Sequence, residues 1–271
     1  MGYDMNTNFH PKSQLLPEFP VETIGGMTIA ALDRQETARV MIDAVKAARS
    51  ISAPPLLFSS SNGQIISQVS GASDRTPSEL MKTVDLISAD GQSLVFASRL
   101  FGRGGIRERC ATTDLFHDVA RIACDEEVTF YILGATQEEN ELAVRNVHQL
   151  YPQLKIVGSH HGYFSGQDDE EETIQEINGL KPDIVWIGMG FPRQLEFCAR
   201  WRDSLRNVGA IKTCGGLLNF LSQSRSRAPR WMQSAGLEWC YRLALEPRRL
   251  LYRYFITNIH ATWLLISRTS R

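Results

Sequence analysis

The stretch Asp183-Ile-Val-Trp-Ile-Gly-Met-Gly-Phe-Pro-Arg-Gln194 decides the fold class. Residues 184–187 form an apolar run of strand length, Gly188 and Gly190 free the backbone just beyond it, and Phe191-Pro192 suits the first turn of a new helix. Open α/β sheets place ligands at such strand ends, because glycines admit close approach and helix N-termini offer unpaired N–H groups to anions. A tight βα turn without a ligand has the same signature.

The same alternation recurs on both sides. Residues 27–32 read as a strand, Asp33 and Glu36 as a capping box, and Val40, Met41, Ala44 and Val45 as one helix face. Further strands are expected at 56–58, 84–88, 128–133, 154–157 and 210–213, with helices between them. Repeated βα units predict an α/β fold, a doubly wound, mainly parallel Rossmann-like sheet. Residues 1–22 show no periodicity and read as a disordered leader, 23–224 as the α/β domain, and 225–271 as a helical appendage rich in Arg and Trp.

Composition narrows the classes. With 43% hydrophobic and 22% charged residues the 271-residue chain buries a substantial core, and its net charge of -1 gives no global pull towards nucleic acid. Charge is local instead: from Arg225 onward nine Arg face two Glu, a formal +7, leaving -8 on the first 224 residues. Five scattered cysteines without Cys-x-x-Cys pairs read as reduced thiols and show no metal-ligand spacing. The apolar stretch at 254–266 is interrupted by Thr257, Asn258 and His260 and is too short to span a bilayer.

Chemistry-bearing residues cluster where strands are expected to end. Ser60 and Asn62 lie in Ser59-Ser-Ser-Asn-Gly-Gln64, which serves a ligand or a helix N-cap equally well. Asp90 follows a strand and precedes Gly91, a site for a reactive carboxylate, although an Asp-Gly turn accounts for it nearly as often. Gly102-Arg-Gly-Gly-Ile-Arg-Glu-Arg109 suits a polyphosphate or a solvated linker, the linker reading fitting Arg103 and Arg107 better than Arg109. Tyr163, in a Gly-bearing loop, is placed to stack on a nucleobase or to join the core. Cys214-Gly215-Gly216 is the last glycine loop.

Four motifs in order, Gly188-Met-Gly-Phe-Pro-Arg-Gln194, Arg227-Ala-Pro-Arg-Trp-Met232, Gly236-Leu-Glu-Trp-Cys-Tyr-Arg242 and Glu246-Pro-Arg-Arg249, resemble the WecG/TagA/CpsF family of bacterial glycosyltransferases (glycosyltransferase family 26). The resemblance implies inverting, metal-independent transfer of a sugar from a UDP-sugar to a saccharide on a polyprenyl diphosphate, with no cofactor. It implies Asp90 as catalytic base, with Ser60 where the family usually has Thr, and Arg109 and Asp114 in the family's Glu-Arg-Val-x-Gly-x-Asp pattern. Asn62, Tyr163, Gln194, Asn219 and the glycines 188, 190, 215 and 216 fall on its sugar-nucleotide motifs; Arg242, Arg249 and Arg253 fall in its arginine-rich appendage and are expected to hold acceptor diphosphate. Arg193, Leu195, Asn219 and Gln223 depart from the family's usual Lys, Glu, Asp and Gly, which leaves the donor open among glucose, N-acetylmannosamine and its uronic acid. Glu246-Pro-Arg-Arg249 and Leu217-Leu-Asn-Phe-Leu221 favour glucose and exopolysaccharide synthesis.

A lipid-linked acceptor implies work at an anionic membrane surface, peripheral on the inner face of the cell membrane, with the Arg/Trp tail as the contact. A homo-oligomer is compatible with this reading, its number unassigned. Two rivals remain. A nucleotide-dependent oxidoreductase should show Gly-x-Gly-x-x-Gly after the first strand, and Leu32-Asp-Arg-Gln35 offers none. A noncatalytic membrane- or polysaccharide-binding module explains the basic tail but leaves Ser60, Asn62 and Asp90 without a task.

Overall fold

Six strands make one parallel sheet: β3 (Leu56–Ser61), β4 (Leu86–Ala89), β5 (Phe130–Gly134), β6 (Ile156–His160), β7 (Ile184–Gly188) and β8 (Ala210–Thr213), in the order β4-β3-β8-β7-β5-β6. The computed structural model describes residues 14–71, 76–245 and 247–270, except the side chains of Arg230, Arg242 and residues 248–256.

Each central strand is apolar on both sides because both faces are covered. Phe58, Leu86, Phe130 and Trp186 face one helical layer, α1 (Arg34–Ala48), α5 (Thr112–Glu126), α6 (Gln137–Leu150) and α9 (Leu217–Leu221). Leu57, Ile87, Tyr131, Val185 and Ile211 face the other, α2 (Gly63–Gly71), α3 (Thr76–Lys82), α4 (Gln92–Phe101), α7 (Gln167–Leu180) and α8 (Arg193–Trp201). This is the doubly wound arrangement that the run at 184–187 implied. Asp33 also caps α1 as its spacing predicts, accepting from the Glu36 N–H while its own N–H donates to the Glu36 carboxylate.

The N-terminal part differs from the sequence reading. Residues 27–30 do not open the parallel sheet. They form β2 (Met27–Ala30), paired antiparallel with β1 (Val21–Ile24) in a separate hairpin. Gly25 and Gly26 turn the chain at φ +60° and +83°, a conformation that side chains resist, and only then can the two strands pair. Leu16 and Phe19, assigned to the leader, pack against the core; residues 1–13 lie outside the described residues.

The appendage comprises α10 (Arg230–Ser234), α11 (Glu238–Leu245) and α12 (Pro247–Ser267). Its end is anchored in the α/β body: Leu264 and Leu265 join the core, the Gly26 N–H donates to the Arg268 carbonyl at 2.8 Å, and Ser67 Oγ lies 2.9 Å from His260 Nδ1. Among the described residues no helix is long and apolar enough to cross a membrane.

Candidate active site

All six parallel strands end on one edge, so the loops after β3, β4 and β8 converge there. They line a cavity of about 520 Å³, closed on its far side by Glu238 and Trp239 of α11 and by Asn258, Ala261, Thr262 and Leu265 of α12. A second cavity of about 630 Å³ lies between residues 17–20 and the flanks of α1 and α5; none of the candidate residues lines it.

Asp90 heads the functional cavity. Its own N–H donates to the Ser61 carbonyl at 2.8 Å, which fixes it at the strand end, and its Oδ2 accepts from the Thr112 N–H at 3.1 Å. The carboxylate therefore caps α5, where the helix dipole favours negative charge. Arg109 Nε lies 3.7 Å from Asp90 Oδ1, and Arg109 Nη1 lies 2.7 Å from Glu238 Oε2. Asp90 keeps 24% of its side-chain surface, open to the cavity. Burial raises its pKa; Arg109, the Thr112 hydrogen bonds and Lys212 pull the other way without cancelling it. A carboxylate poised above its ordinary range, beside a cation and facing a cavity, is equipped to take a proton from a bound hydroxyl.

The cavity floor is a hydroxyl cluster. Ser60 Oγ accepts from Lys212 Nζ at 2.7 Å and lies 2.9 Å from Thr112 Oγ1 and 3.1 Å from Ser88 Oγ. Opposite, buried Gln194 accepts from the Gly215 N–H at 2.9 Å and ties the start of α8 to the loop after β8. Arg225 also lines the cavity. Among the described residues no three His, Cys, Asp or Glu side chains are grouped to hold a metal ion.

Comparison with known proteins fits this geometry. The profile described as "Glycosyl transferase WecG/TagA/CpsF family" matches residues 22–271. The chain belongs to that family. It is 30% identical over 176 residues to an N-acetylglucosaminyldiphosphoundecaprenol N-acetyl-beta-D-mannosaminyltransferase of Bacillus subtilis (strain 168), covering 65% of this chain and 67% of that one. A protein of the same description from Staphylococcus aureus (strain MRSA252) is 30% identical over 172 residues, 64% of this chain and 66% of its own.

In this glycosyl transferase the structure brings together Asp90, Arg109, Ser60, Asn62, Gln194, Gly215 and Gly216. Asn62 also fills the capping role, its Oδ1 accepting from the Ile65 N–H at 3.0 Å. The Gly102–Arg109 loop divides as its sequence suggested: Arg107 pairs with Glu36 on the surface, and Arg109 turns inward. Gly105 donates to buried Glu22, so that part of the loop is held by protein.

Four other expected residues stand off the cavity. Tyr163 follows β6 at the sheet edge, 61% exposed, with the Arg193 guanidinium 5.9 Å from its ring centroid. Asn219 donates to Glu139 on α6 at 2.6 Å. Gly188 is tightly packed, since a Cβ there would sit 3.1 Å from the Gly215 carbonyl oxygen and press its neighbours aside. Gly190 supplies a φ of +77° to the loop. Asp114, in the Glu-Arg-x-x-x-x-Asp stretch, binds Arg227 with both oxygens and so fastens the appendage linker to α5. The side chains of Arg242, Arg249 and Arg253 lie outside the described residues, on helices whose described parts wall the cavity.

Sequence reasoning missed Thr112, Lys212 and Glu238. Thr112 and Glu238 reach the site only through tertiary contacts. Lys212 carried a faint signal, a lysine in a strand of an otherwise apolar sheet.

Proposed function

We propose that this family member transfers a hexose from a UDP-sugar to a saccharide carried on a polyprenyl diphosphate, with inversion and without a metal ion. The observation that carries the reading is Asp90 at a strand end, capping α5 and facing a 520 Å³ cavity with Arg109 at 3.7 Å. In the reaction Asp90 takes the proton of the acceptor hydroxyl as that oxygen attacks the anomeric carbon, and the bond to UDP breaks from the opposite face. Negative charge then grows on the departing diphosphate. Arg109 and Arg225 line the cavity to receive it, and Arg242, Arg249 and Arg253 are assigned to the acceptor's diphosphate.

The acceptor's lipid requires a membrane surface. Trp231, Trp239, Leu245, Ile259, Trp263 and Ile266 are exposed on the appendage that also carries the +7 charge, which supports peripheral attachment to an anionic bilayer at the inner face of the cell membrane. For the donor, the C-terminal motifs favour glucose, and the names of the two relatives favour N-acetylmannosamine.

The test is a donor screen: purified protein, a synthetic prenyl diphosphate-linked mono- or disaccharide, and a panel of UDP-sugars, with and without a chelator. Turnover that survives the chelator with one donor bears out the proposal and names the sugar. Binding of UDP with no transfer across a range of acceptors would refute it in favour of a binding module.

A further inference from the structure

Lys212 has no part in the chemistry above, yet it is 1% exposed in the middle of the sheet. Its register partners are Phe58 on β3 and Trp186 on β7, so it occupies a position at which its neighbours are large and apolar. An ammonium there is strongly disfavoured by desolvation unless neighbouring groups offset it. Its hydrogen bonds are to neutral oxygens, Ser60 Oγ at 2.7 Å and the Thr213 carbonyl at 3.1 Å.

Those bonds lead to the reactive carboxylate. Ser60 Oγ lies 2.9 Å from Thr112 Oγ1, and the N–H of the same Thr112 donates to Asp90 Oδ2 at 3.1 Å. The groups around the pair come from every neighbouring element: Cys110 before α5, Cys214 after β8, Arg109 beside Asp90, Glu238 of α11 beyond Arg109, and Arg227 of the linker. Burial pushes the thiols up, Cys110 to about 11 and Cys214 to about 12, so both are neutral. Arg109 is shared between two carboxylates, Asp90 and Glu238.

We propose that Lys212 is a positioning residue for the transfer: its ammonium, held by Ser60 beneath the cavity floor and joined through Thr112 to Asp90, acts beside Arg109 as a second counter-charge that favours the carboxylate form, the form that accepts the proton. The proposal rests on the reading of Asp90 as base. Burial pushes the Lys212 pKa down and the Asp90 pKa up, and the charge of each opposes that shift in the other.

The test is the pH profile of kcat/KM for Lys212→Met and Lys212→Gln, with folding followed by thermal melting and UDP binding. Gln keeps a polar, hydrogen-bonding end without the charge. In both variants the acid limb should move up by about one pH unit or more, so that activity at low pH falls roughly tenfold further than at high pH. A uniform loss with an unmoved limb would reduce Lys212 to packing and overturn the proposal, as would failure of both variants to fold. Asp90→Asn, assayed in parallel, separates the two ideas. Near-native turnover of that variant removes the base itself, whereas an inactive Asp90→Asn beside unmoved Lys212 profiles removes only the role of the lysine.

Discussion

Replacing Asp90 by Asn should remove activity while sparing, or raising, stability. Asn keeps the side-chain shape and an oxygen to accept from the Thr112 N–H, so α5 stays capped. Arg109 loses a partner at 3.7 Å but retains Glu238 at 2.7 Å. Loss of a general base lowers turnover by about two to four orders of magnitude, roughly 3–5 kcal/mol on the barrier. The stability effect has the opposite sign. Burial raises the Asp90 pKa, so the fold favours the neutral acid: that contribution is complete below the unfolded pKa and is lost as pH rises through the folded one. Each unit by which folding raises a carboxyl costs about 1.4 kcal/mol once it ionises. The Asn variant carries no such cost. It should melt at or above the wild-type temperature in mildly alkaline buffer, with the difference narrowing in acid. UDP release measured against both substrates gives kcat and KM, and scanning calorimetry at the two pH values gives the melting shift. Near-native turnover would refute the base assignment, and a variant several degrees less stable in alkaline buffer would show that the carboxylate serves the fold.

Other expectations follow from neighbouring contacts. Cys198 and Cys214 are buried with thiols pushed up to about 12, and Cys110 to about 11, so an aromatic disulfide reagent should titrate Cys124 and Cys240 in the native protein and all five cysteines only in denaturant. Burial alone would raise the Asp114 pKa, but its hydrogen bonds and ion pair with Arg227 leave it lowered. The stability it supplies is present above the unfolded carboxyl pKa and lost as pH falls through the folded value; Arg227→Met should remove about 1–3 kcal/mol near neutral pH, flatten the acid limb of a denaturation series, and speed proteolysis of the linker. Exchanging Trp231 and Trp263, 66% and 55% exposed, for Ser should lower flotation with anionic vesicles by about fivefold or more, salt should lower it further, and the melting temperature should stay within a few degrees. Unchanged flotation would place the membrane contact elsewhere.

The sequence by itself determined the elements whose cause is local. The apolar run at 184–187, the Asp33/Glu36 capping box and the Asp90-Gly91 strand end are readable because strand length, cap spacing and turn chemistry depend on adjacent residues. Ser60 and Asp90 were legible because they stand at the ends of β3 and β4, on the reactive edge of a parallel sheet, and Arg109 and Gln194 through the glycine-rich basic loop and the family motif that carry them. Strand order and long-range partners were not. The hairpin took residues 27–30 out of the main sheet because pairing with Val21–Ile24 is decided by a glycine turn that a strand pattern does not weigh. Tyr163 sits in the expected loop and Asn219 in α9 just past the last glycine loop, yet their side chains meet Arg193 and Glu139, since the direction of a side chain is set by whatever packs around it. The appendage became a cavity wall only through Leu264 and Leu265 anchoring α12 in the core. Lys212 is the sharpest case. Only the placement of β8 between β3 and β7 turns an unremarked lysine into a buried charge joined through Ser60 and Thr112 to Asp90, because desolvation is a property of the assembled sheet.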